Sequence, residues 1–98
     1  KVLVDVSNFY KIGEEITAGN LRQFDNQIST FHLKDFDKQG AYVDFLTGTI
    51  PYREIFKNIE KILGTQKIIF TLETHVRKDP KNDTLRSLKN LKSLLELR

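Results

Sequence analysis

The chain of 98 residues contains no cysteine, few residues that interrupt regular structure and no long apolar run. Without cysteine there is no disulfide scaffold, no thiolate metal site and no cysteine nucleophile, which is compatible with a reducing compartment. Five Gly and two Pro, with 39% hydrophobic and 30% charged residues, exclude collagen-like, low-complexity and disordered classes. No apolar run approaches the roughly 20 residues that span a bilayer. These absences predict one globular domain with no membrane partner, and the cytoplasm is the expected location.

The formal net charge of +3 comes from a basic excess in the second half of the chain. Most of these basic residues lie within helical patterns, which favours solvated helix faces over an anion or nucleic-acid patch. No basic cluster alternates with aromatic residues, so nucleic acid is not an expected partner. The chain begins at Lys1 and runs directly into an apolar segment. We therefore expect it to be part of a longer protein whose first residues, with any targeting signal, are not in this sequence.

Three short segments rich in β-branched and aromatic residues predict β-strands. They cover residues 2–6, 28–33 and 67–72. The last of them is almost continuously apolar, as parallel strands covered on both faces are. We therefore expect this strand inside a sheet and not at its edge.

Helical spacing of apolar residues predicts a first helix over residues 15–26 and a second over residues 51–63. The first pattern is the weaker, because Gly19 interrupts it. Its expected core contacts are Ile16, Leu21 and Phe24. The second pattern has Pro51 at its start, where proline is tolerated, and Gly64 at the position of a left-handed C-terminal cap.

A third helix is predicted after Pro80, with Asn82 or Asp83 as its N-cap. Its leucines recur on one face and predict a contact with the core. The pattern is too short for the sustained heptads of a coiled coil. The leucines of this face are Leu85, Leu88, Leu91, Leu94 and Leu95.

The strand and helix patterns alternate, and no repeat, linker or charge block marks a second domain. This order predicts right-handed βαβ units with a parallel sheet. Three parallel strands with helices on one side leave the other sheet face open, whereas five further strands close it in a (β/α)8 TIM barrel. We therefore expect residues 1–98 to be a single α/β segment, three βα units of such a barrel with outer helices. The alternative is a small complete three-stranded α/β domain, which leaves one apolar sheet face exposed.

Three ionisable residues, Asp5, His32 and Glu73, each lie at or just after the C-terminal end of a predicted strand. Ligands bind beyond the carboxyl ends of the strands in parallel sheets and barrels, so these side chains are expected to converge. One imidazole and two carboxylates suit Mn²⁺, Mg²⁺, Co²⁺ or Zn²⁺. Taken singly, they are an ordinary cap, a core histidine and a surface acid, but their matching positions favour a metal site.

Three further residues are candidates for substrate binding. Lys34 lies on the same strand face as the imidazole, so it binds a substrate hydroxyl or phosphate, or it forms a salt bridge with Asp35 or Asp37. Asn8 is either a neutral hydrogen-bond partner of the substrate or a turn residue. His75 begins the loop after the third strand and shares the strand face of the acid before it.

Three motifs contain these candidates: VDVSN at residues 4–8, FHLKD at residues 31–35 and TLETH at residues 71–75. They are similar to segments that follow the sixth, seventh and eighth strands of one barrel family. On these motifs the whole chain resembles the C-terminal portion of the xylose isomerase-like (β/α)-barrel superfamily. That superfamily comprises sugar isomerases and epimerases and also the family 2 AP endonucleases. The segment LTGTI at residues 46–50 resembles the family's G-x-G-x-[VI] entry to its seventh helix, with Leu46 in place of the first glycine.

The resemblance implies that Asp5, His32 and Glu73 are three of four ligands of a divalent metal, with Mn²⁺ expected before Mg²⁺, Co²⁺ or Zn²⁺. It also implies that Glu73 moves a proton between neighbouring carbons of a sugar, through an enediolate. The fourth ligand, a second glutamate, lies on an earlier strand outside this chain. The complete protein is therefore expected to be a sugar or sugar phosphate isomerase or epimerase, and the 98 residues alone to bind metal weakly and catalyse little. Its partners are then the sugar and the remainder of the barrel, and a homo-oligomer is compatible with the sequence.

Two other functions stay open. The endonuclease branch suggests a metal-dependent phosphodiesterase acting at abasic DNA sites, but that branch uses additional histidine ligands. Asn8 stands where one of these histidines would be, and residues 38–45 contain none, so the sugar enzyme is favoured. The third possibility is a barrel segment without catalysis that acts as a binding module.

Overall fold

The computed structural model describes residues 2–24, 27–64, 67–73 and 80–96 of the chain. These residues form a mixed α/β structure with five strands and four helices. The strands are β1 (Val2–Asp5), β2 (Ile28–Leu33), β3 (Asp35–Phe36), β4 (Tyr42–Val43) and β5 (Ile69–Leu72). The helices are α1 (Val6–Lys11), α2 (Ala18–Gln23), α3 (Tyr52–Leu63) and α4 (Pro80–Glu96). None of the helices in the described residues combines the length and apolar character that a membrane crossing requires.

The main sheet has the order β1-β2-β5, and both pairs of neighbouring strands are parallel. The prediction of a parallel α/β sheet is therefore confirmed. Successive residues of a strand point to opposite faces, so the register of the three strands assigns each row of partners to one face. One face contacts the helices, and we call the other the open face.

The hydrophobic core lies on the helix-covered face of the sheet. Val4, Phe31 and Phe70 form one row of register partners across the three strands. Phe70 stacks on Phe56 of α3 with 4.9 Å between ring centroids and on its strand neighbour Phe31 with 5.9 Å. The contact between helix and sheet is therefore built largely from aromatic rings, which bury a large apolar area per residue.

The open face carries apolar side chains at one end and polar side chains at the other. Asp5, His32 and Thr71 form a row of register partners near the carboxyl ends of the strands. Two residues earlier on the same face, Leu3 of β1 and Ile69 of β5 share a register partner on β2. These two side chains are 51% and 55% exposed, respectively. In the described residues, nothing covers the apolar end of this face.

The prediction that the third main strand lies inside the sheet is wrong for the described residues. There, β5 pairs only with β2 and forms one edge of the sheet, and its side chains alternate between exposed and half-buried. Its apolar composition resembles that of a strand with two neighbours and two covered faces. The described residues supply one neighbour and one covered face.

Among the predicted elements, the helix over residues 15–26 differs most from the structure. The chain turns helical directly after β1, and α1 takes up Val6, which the sequence pattern assigned to the strand. The second helix begins only after Thr17, whose side chain caps it by accepting a hydrogen bond from the backbone N–H of Asn20. Ile16 and Leu21 are buried as predicted, but Phe24 is 46% exposed because it follows the end of α2.

The last two helices lie close to their predicted ranges, but their predicted capping residues are wrong. Pro51 is the N-cap of α3, and Gly64 follows its last residue with right-handed helical dihedrals, so the predicted left-handed cap is wrong. Helix α4 begins at Pro80 itself, so Asn82 and Asp83 lie in its first turn and neither is the N-cap. Of the predicted leucine face, Leu94 is buried and Leu91 and Leu95 pack against the core, whereas Leu85 and Leu88 are about half exposed.

A two-stranded hairpin, β3–β4, follows β2 and was not predicted from the sequence. Its loop is closed by Asp37, whose carboxylate accepts hydrogen bonds from the backbone N–H groups of Gln39 and Ala41. The hairpin begins at Asp35, whose 1% exposed side chain binds the segment that leads into α3. It therefore connects the carboxyl end of β2 to the start of α3.

Candidate metal centre at the strand ends

Three successive βα units bring Asp5, His32 and Glu73 together at the carboxyl edge of the sheet. Asp5 and His32 are register partners at the ends of β1 and β2. Glu73 follows β5 and continues its pairing, because its backbone N–H donates to the carbonyl of Leu33 at 2.9 Å. One donor atom from each of the three side chains lies within 4.8 Å of the others, and all three residues are half-buried. The convergence expected from the strand-end positions is therefore present.

Asp5 is held by its position between β1 and α1, where it is the N-cap of the helix. Its Oδ1 accepts hydrogen bonds from the Ser7 hydroxyl and from the backbone N–H of Asn8, both at 3.2 Å. An N-cap carboxylate satisfies helix N–H groups that have no partner within the helix. Oδ2 of Asp5 is 3.3 Å from the Lys34 ammonium.

His32 and Glu73 contact each other directly. Nδ1 of His32 lies at ion-pair distance from Oε1 of Glu73, and the two side chains are 26% and 28% exposed. A carboxylate beside one ring nitrogen fixes the orientation of an imidazole and determines which nitrogen carries the proton. The contact therefore orients the imidazole within the three-residue group.

Lys34 inserts a positive charge between the two carboxylates. Its Nζ is 3.3 Å from Oδ2 of Asp5 and 3.4 Å from Oε2 of Glu73, and its side chain is only 12% exposed. Burial acts to lower the pKa of Lys34, but the charges of Asp5 and Glu73 outweigh it and raise the pKa above its ordinary value. The side chain is therefore an ammonium ion, and its partners are these two acids instead of Asp35 or Asp37.

The backbone of Lys34 is fixed by a tyrosine of α3. The Tyr52 hydroxyl donates to the carbonyl of Lys34 at 2.6 Å and accepts from its backbone N–H at 3.2 Å. Tyr52 is 1% exposed and packs at 4.5 Å, ring to ring, against Phe45. Burial raises the pKa of the Tyr52 phenol above its usual range, so the hydroxyl keeps its proton. Position 34 is thus anchored to the core although its side chain reaches the site.

Tyr42 of the hairpin lies next to this group of charges and was not identified from the sequence. Its ring centroid is 5.8 Å from the Lys34 ammonium and 4.2 Å from that of Lys11, which also donates to the Tyr42 hydroxyl at 2.6 Å. These contacts connect the hairpin to α1. The signal in the sequence was weak, since a two-residue strand and a lysine in the last turn of a short helix are common features.

The other two candidates from the sequence have different outcomes. The Asn8 side chain is exposed, and the contact that the structure gives for this residue is its backbone N–H to Asp5. Its suggested binding of a substrate stays a prediction. His75 lies outside the described residues, so its position is not assigned.

Asp5, His32 and Glu73 form a group that could hold a metal ion. Imidazole nitrogen and carboxylate oxygen bind Zn²⁺ at about 2.0–2.2 Å, so two ligands of one such ion are at most about 4.4 Å apart. The separations of up to 4.8 Å would be closed by a small rotation of the side chains. The Lys34 ammonium already lies beside two of these ligands, 3.3 Å from Asp5 and 3.4 Å from Glu73.

Comparison with known proteins adds no relative: no family model, no curated protein and no solved structure matches the chain. The likeness to the xylose isomerase-like superfamily therefore stays a prediction that rests on the three motifs.

Proposed function

We propose that this chain supplies three ligands of a divalent-metal site to a (β/α)-barrel sugar or sugar phosphate isomerase or epimerase. The observation that carries the proposal is the convergence of Asp5, His32 and Glu73, with donor atoms within 4.8 Å, at the carboxyl edge of a parallel sheet. Active sites of (β/α)-barrel enzymes lie at this edge. The motifs around the three residues support the sugar enzyme over other metal-dependent barrels.

The two faces of the sheet support the barrel. The helices cover the face of Val4 and Phe31, as the outer face of a barrel strand requires. The open face has exposed Leu3 and Ile69 below the polar group, an order that suits a barrel interior with a packed base and a polar site at its carboxyl end. In this proposal β1 and β5 gain further strand neighbours from the remainder of the barrel.

The site residues divide the work of moving a proton between neighbouring carbons. Glu73 is the carboxylate that accepts and returns the proton, and the contact with His32 orients it. Asp5 is held in place by its bonds to α1, so it offers one fixed oxygen to the site. A bound Mn²⁺ would supply Lewis-acid stabilisation of the negative oxygen that develops on the sugar. The proton acceptor or donor on the other side of the sugar would come from the rest of the barrel.

The phosphodiesterase alternative is not supported by the residues around the site. It requires further histidine ligands, and the chain has only two histidines, one of which already belongs to the proposed ligand set. Position 8 carries an asparagine with an exposed side chain.

Calorimetric titration of Mn²⁺ into the complete barrel protein, which supplies the fourth ligand, tests the metal site. We expect His32→Ala and Glu73→Ala each to weaken binding at least tenfold, or about 1.4 kcal/mol. Glu96→Ala, which removes an exposed acid far along α4, is the matched control and is expected to bind like the wild type. Equal binding in all four proteins, or no binding in the wild type, would refute the site.

Binding of a sugar at the metal is tested on the same sample by measuring the relaxation of water protons near bound Mn²⁺. A sugar that reaches the ion displaces coordinated water and changes this relaxation. We expect a change with at least one member of a panel of aldoses, ketoses and their phosphates, and a smaller change with Mn²⁺ alone in buffer. A panel without effect on a chain that binds Mn²⁺ would leave a metal site and remove the sugar enzyme.

A further inference from the structure

The Lys34 ammonium contacts one carboxylate oxygen of each acid. Oδ1 of Asp5 accepts from Ser7 and from the Asn8 backbone, and Oδ2 is the atom next to Lys34. On Glu73, Oε1 contacts His32 and Oε2 is the atom next to Lys34. A metal ion that binds both acids through these oxygens would need the space that the ammonium occupies.

We propose that Lys34 is a built-in competitor of the metal, occupying the cation position with its ammonium until a divalent ion breaks both ion pairs. The inference rests on the proposed function, because it concerns the same three ligands. It assigns to Lys34 a regulatory role at the site in place of the substrate contact predicted from the sequence.

The carboxylates cannot hold the Lys34 ammonium and a divalent ion at the same time, because the two cations repel each other. The Lys34 ammonium offsets one of the two negative charges of the carboxylates, and its low exposure keeps water from screening these pairs. A divalent ion added beside the ammonium would bring two cations into contact, so the ammonium leaves when the ion binds. The three ligands therefore hold a metal less tightly than the same ligands would without Lys34.

Displacement requires only the side chain to move. The Tyr52 hydroxyl holds both backbone groups of Lys34, so the strand end and its neighbours stay in position. The four-carbon stem of lysine has several rotatable bonds, which let the ammonium rotate away from the acids. The metal-free site is thus stabilised by the same residue that weakens metal binding.

The experiment compares Mn²⁺ binding in the complete wild-type protein and in its Lys34→Met, Lys34→Arg and Lys38→Met variants. Lys38 is exposed in the hairpin loop, so Lys38→Met removes the same formal charge away from the site. We expect Lys34→Met to bind Mn²⁺ at least tenfold more tightly than the wild type, and the other two variants to bind within about twofold of it. Lys34→Arg retains the cation, so it separates the charge from the shape of the side chain.

Thermal unfolding with and without Mn²⁺ is the second readout. Without the ammonium, the two carboxylates lose the positive charge between them, so we expect Lys34→Met to have a lower Tm than the wild type and a larger rise of Tm on adding Mn²⁺. If Lys34→Met does not fold without metal, Lys34→Gln keeps a polar end at the same position and takes its place in both measurements.

The outcomes separate this inference from the proposed function. Binding in the wild type that depends on His32 but is no tighter in Lys34→Met overturns the competition and leaves the metal site. Equal tightening in Lys38→Met also overturns it, since the effect would then be general electrostatics. If none of the proteins binds Mn²⁺, the metal site itself is wrong and the inference falls with it.

Discussion

The carboxylate of Asp35 lies so close to the backbone of Gly48 that no side chain fits between them. A Cβ at position 48 would stand 2.3 Å from Oδ1 of Asp35 and 2.4 Å from the carbonyl oxygen of Phe36. The carboxylate accepts backbone hydrogen bonds from Phe36, Leu46, Gly48 and Ile50 at 3.0 to 3.4 Å. Burial raises the pKa of Asp35, and these four donors oppose the rise. This one buried side chain thus shapes the segment between β4 and α3.

Gly48→Ala is therefore expected to destabilise the fold by at least about 2 kcal/mol, because the new methyl group must displace a buried carboxylate or a backbone carbonyl. Urea unfolding measures the change. The control is Gly19→Ala in α2, where the nearest atom to an added Cβ is 3.8 Å away. Alanine favours the helix there, so stability is expected to rise by about 0.5 kcal/mol. A loss of less than about 1 kcal/mol at position 48 would contradict the close approach.

Asp83 of α4 lies beside Asp44, the residue that follows β4. Asp83 is 1% exposed, and its Oδ2 has no hydrogen-bond partner among the described residues. Burial and the adjacent Asp44 carboxylate together raise the pKa of Asp83 to about 6, although Arg86 and Ser87 act to lower it. The Arg86 guanidinium binds Asp44 and lowers the pKa of that acid. The two acids are therefore most compatible when Asp83 is protonated.

Asp83→Asn should change the pH dependence of stability. An unfolded aspartate titrates near pH 4, so between about pH 4 and pH 6 the folded protein binds more protons and loses stability as the pH rises. Above about pH 6, where Asp83 is ionised in the folded protein, the loss of stability is complete. We expect Asp83→Asn to be more stable than the wild type by on the order of 1 to 2 kcal/mol at pH 7, with most of this gain absent at pH 4.

The measurement is chemical unfolding of both proteins at these two pH values. Glu96→Gln neutralises an exposed acid of the same helix and is the control for net charge. A gain that is the same at pH 4 and pH 7 would show that packing, and not the charge of Asp83, causes it.

The two ends of the leucine face of α4 should respond differently to truncation. Leu94 is 5% exposed, so Leu94→Ala leaves a cavity and is expected to cost about 2 to 4 kcal/mol of unfolding free energy. Leu88 is 49% exposed, and Leu88→Ala on the same helix is expected to cost less than about 1 kcal/mol. Thermal or urea unfolding distinguishes the two. Equal losses would mean that Leu88 is buried in solution.

Tyr52→Phe removes the hydroxyl that holds the backbone of Lys34. Both backbone groups lose a partner, so we expect a loss of about 2 kcal/mol in urea unfolding. Tyr10→Phe is the graded control, since the Tyr10 hydroxyl accepts one backbone hydrogen bond, from Ile16 at 3.1 Å, and should cost about 1 kcal/mol. If Tyr52→Phe costs no more than Tyr10→Phe, the double contact with Lys34 does not stabilise the fold.

The sequence predicted correctly those elements that have a strong local pattern of residue types. The prediction for residues 28–33 coincides with β2, because β-branched and aromatic residues are concentrated there. The predicted range of α3 is correct except that Pro51 is its N-cap, because its apolar residues recur with helical spacing. The convergence of Asp5, His32 and Glu73 was also predictable, since parallel strands bring their carboxyl ends to one edge.

Tertiary structure alone decided the features that depend on which groups meet across the chain. The hairpin after β2 depends on Asp35, which satisfies backbone groups up to 15 residues away. The exposure of Leu85 depends on how much of α4 lies over the core, and helical spacing in the sequence carries no information about that overlap. Lys34 had two acids nearby in sequence but pairs with Asp5 and Glu73, because the fold brings those carboxylates within 3.4 Å of its ammonium. Sequence spacing determines which residues share a face, whereas ion pairs and burial depend on the distances that packing creates.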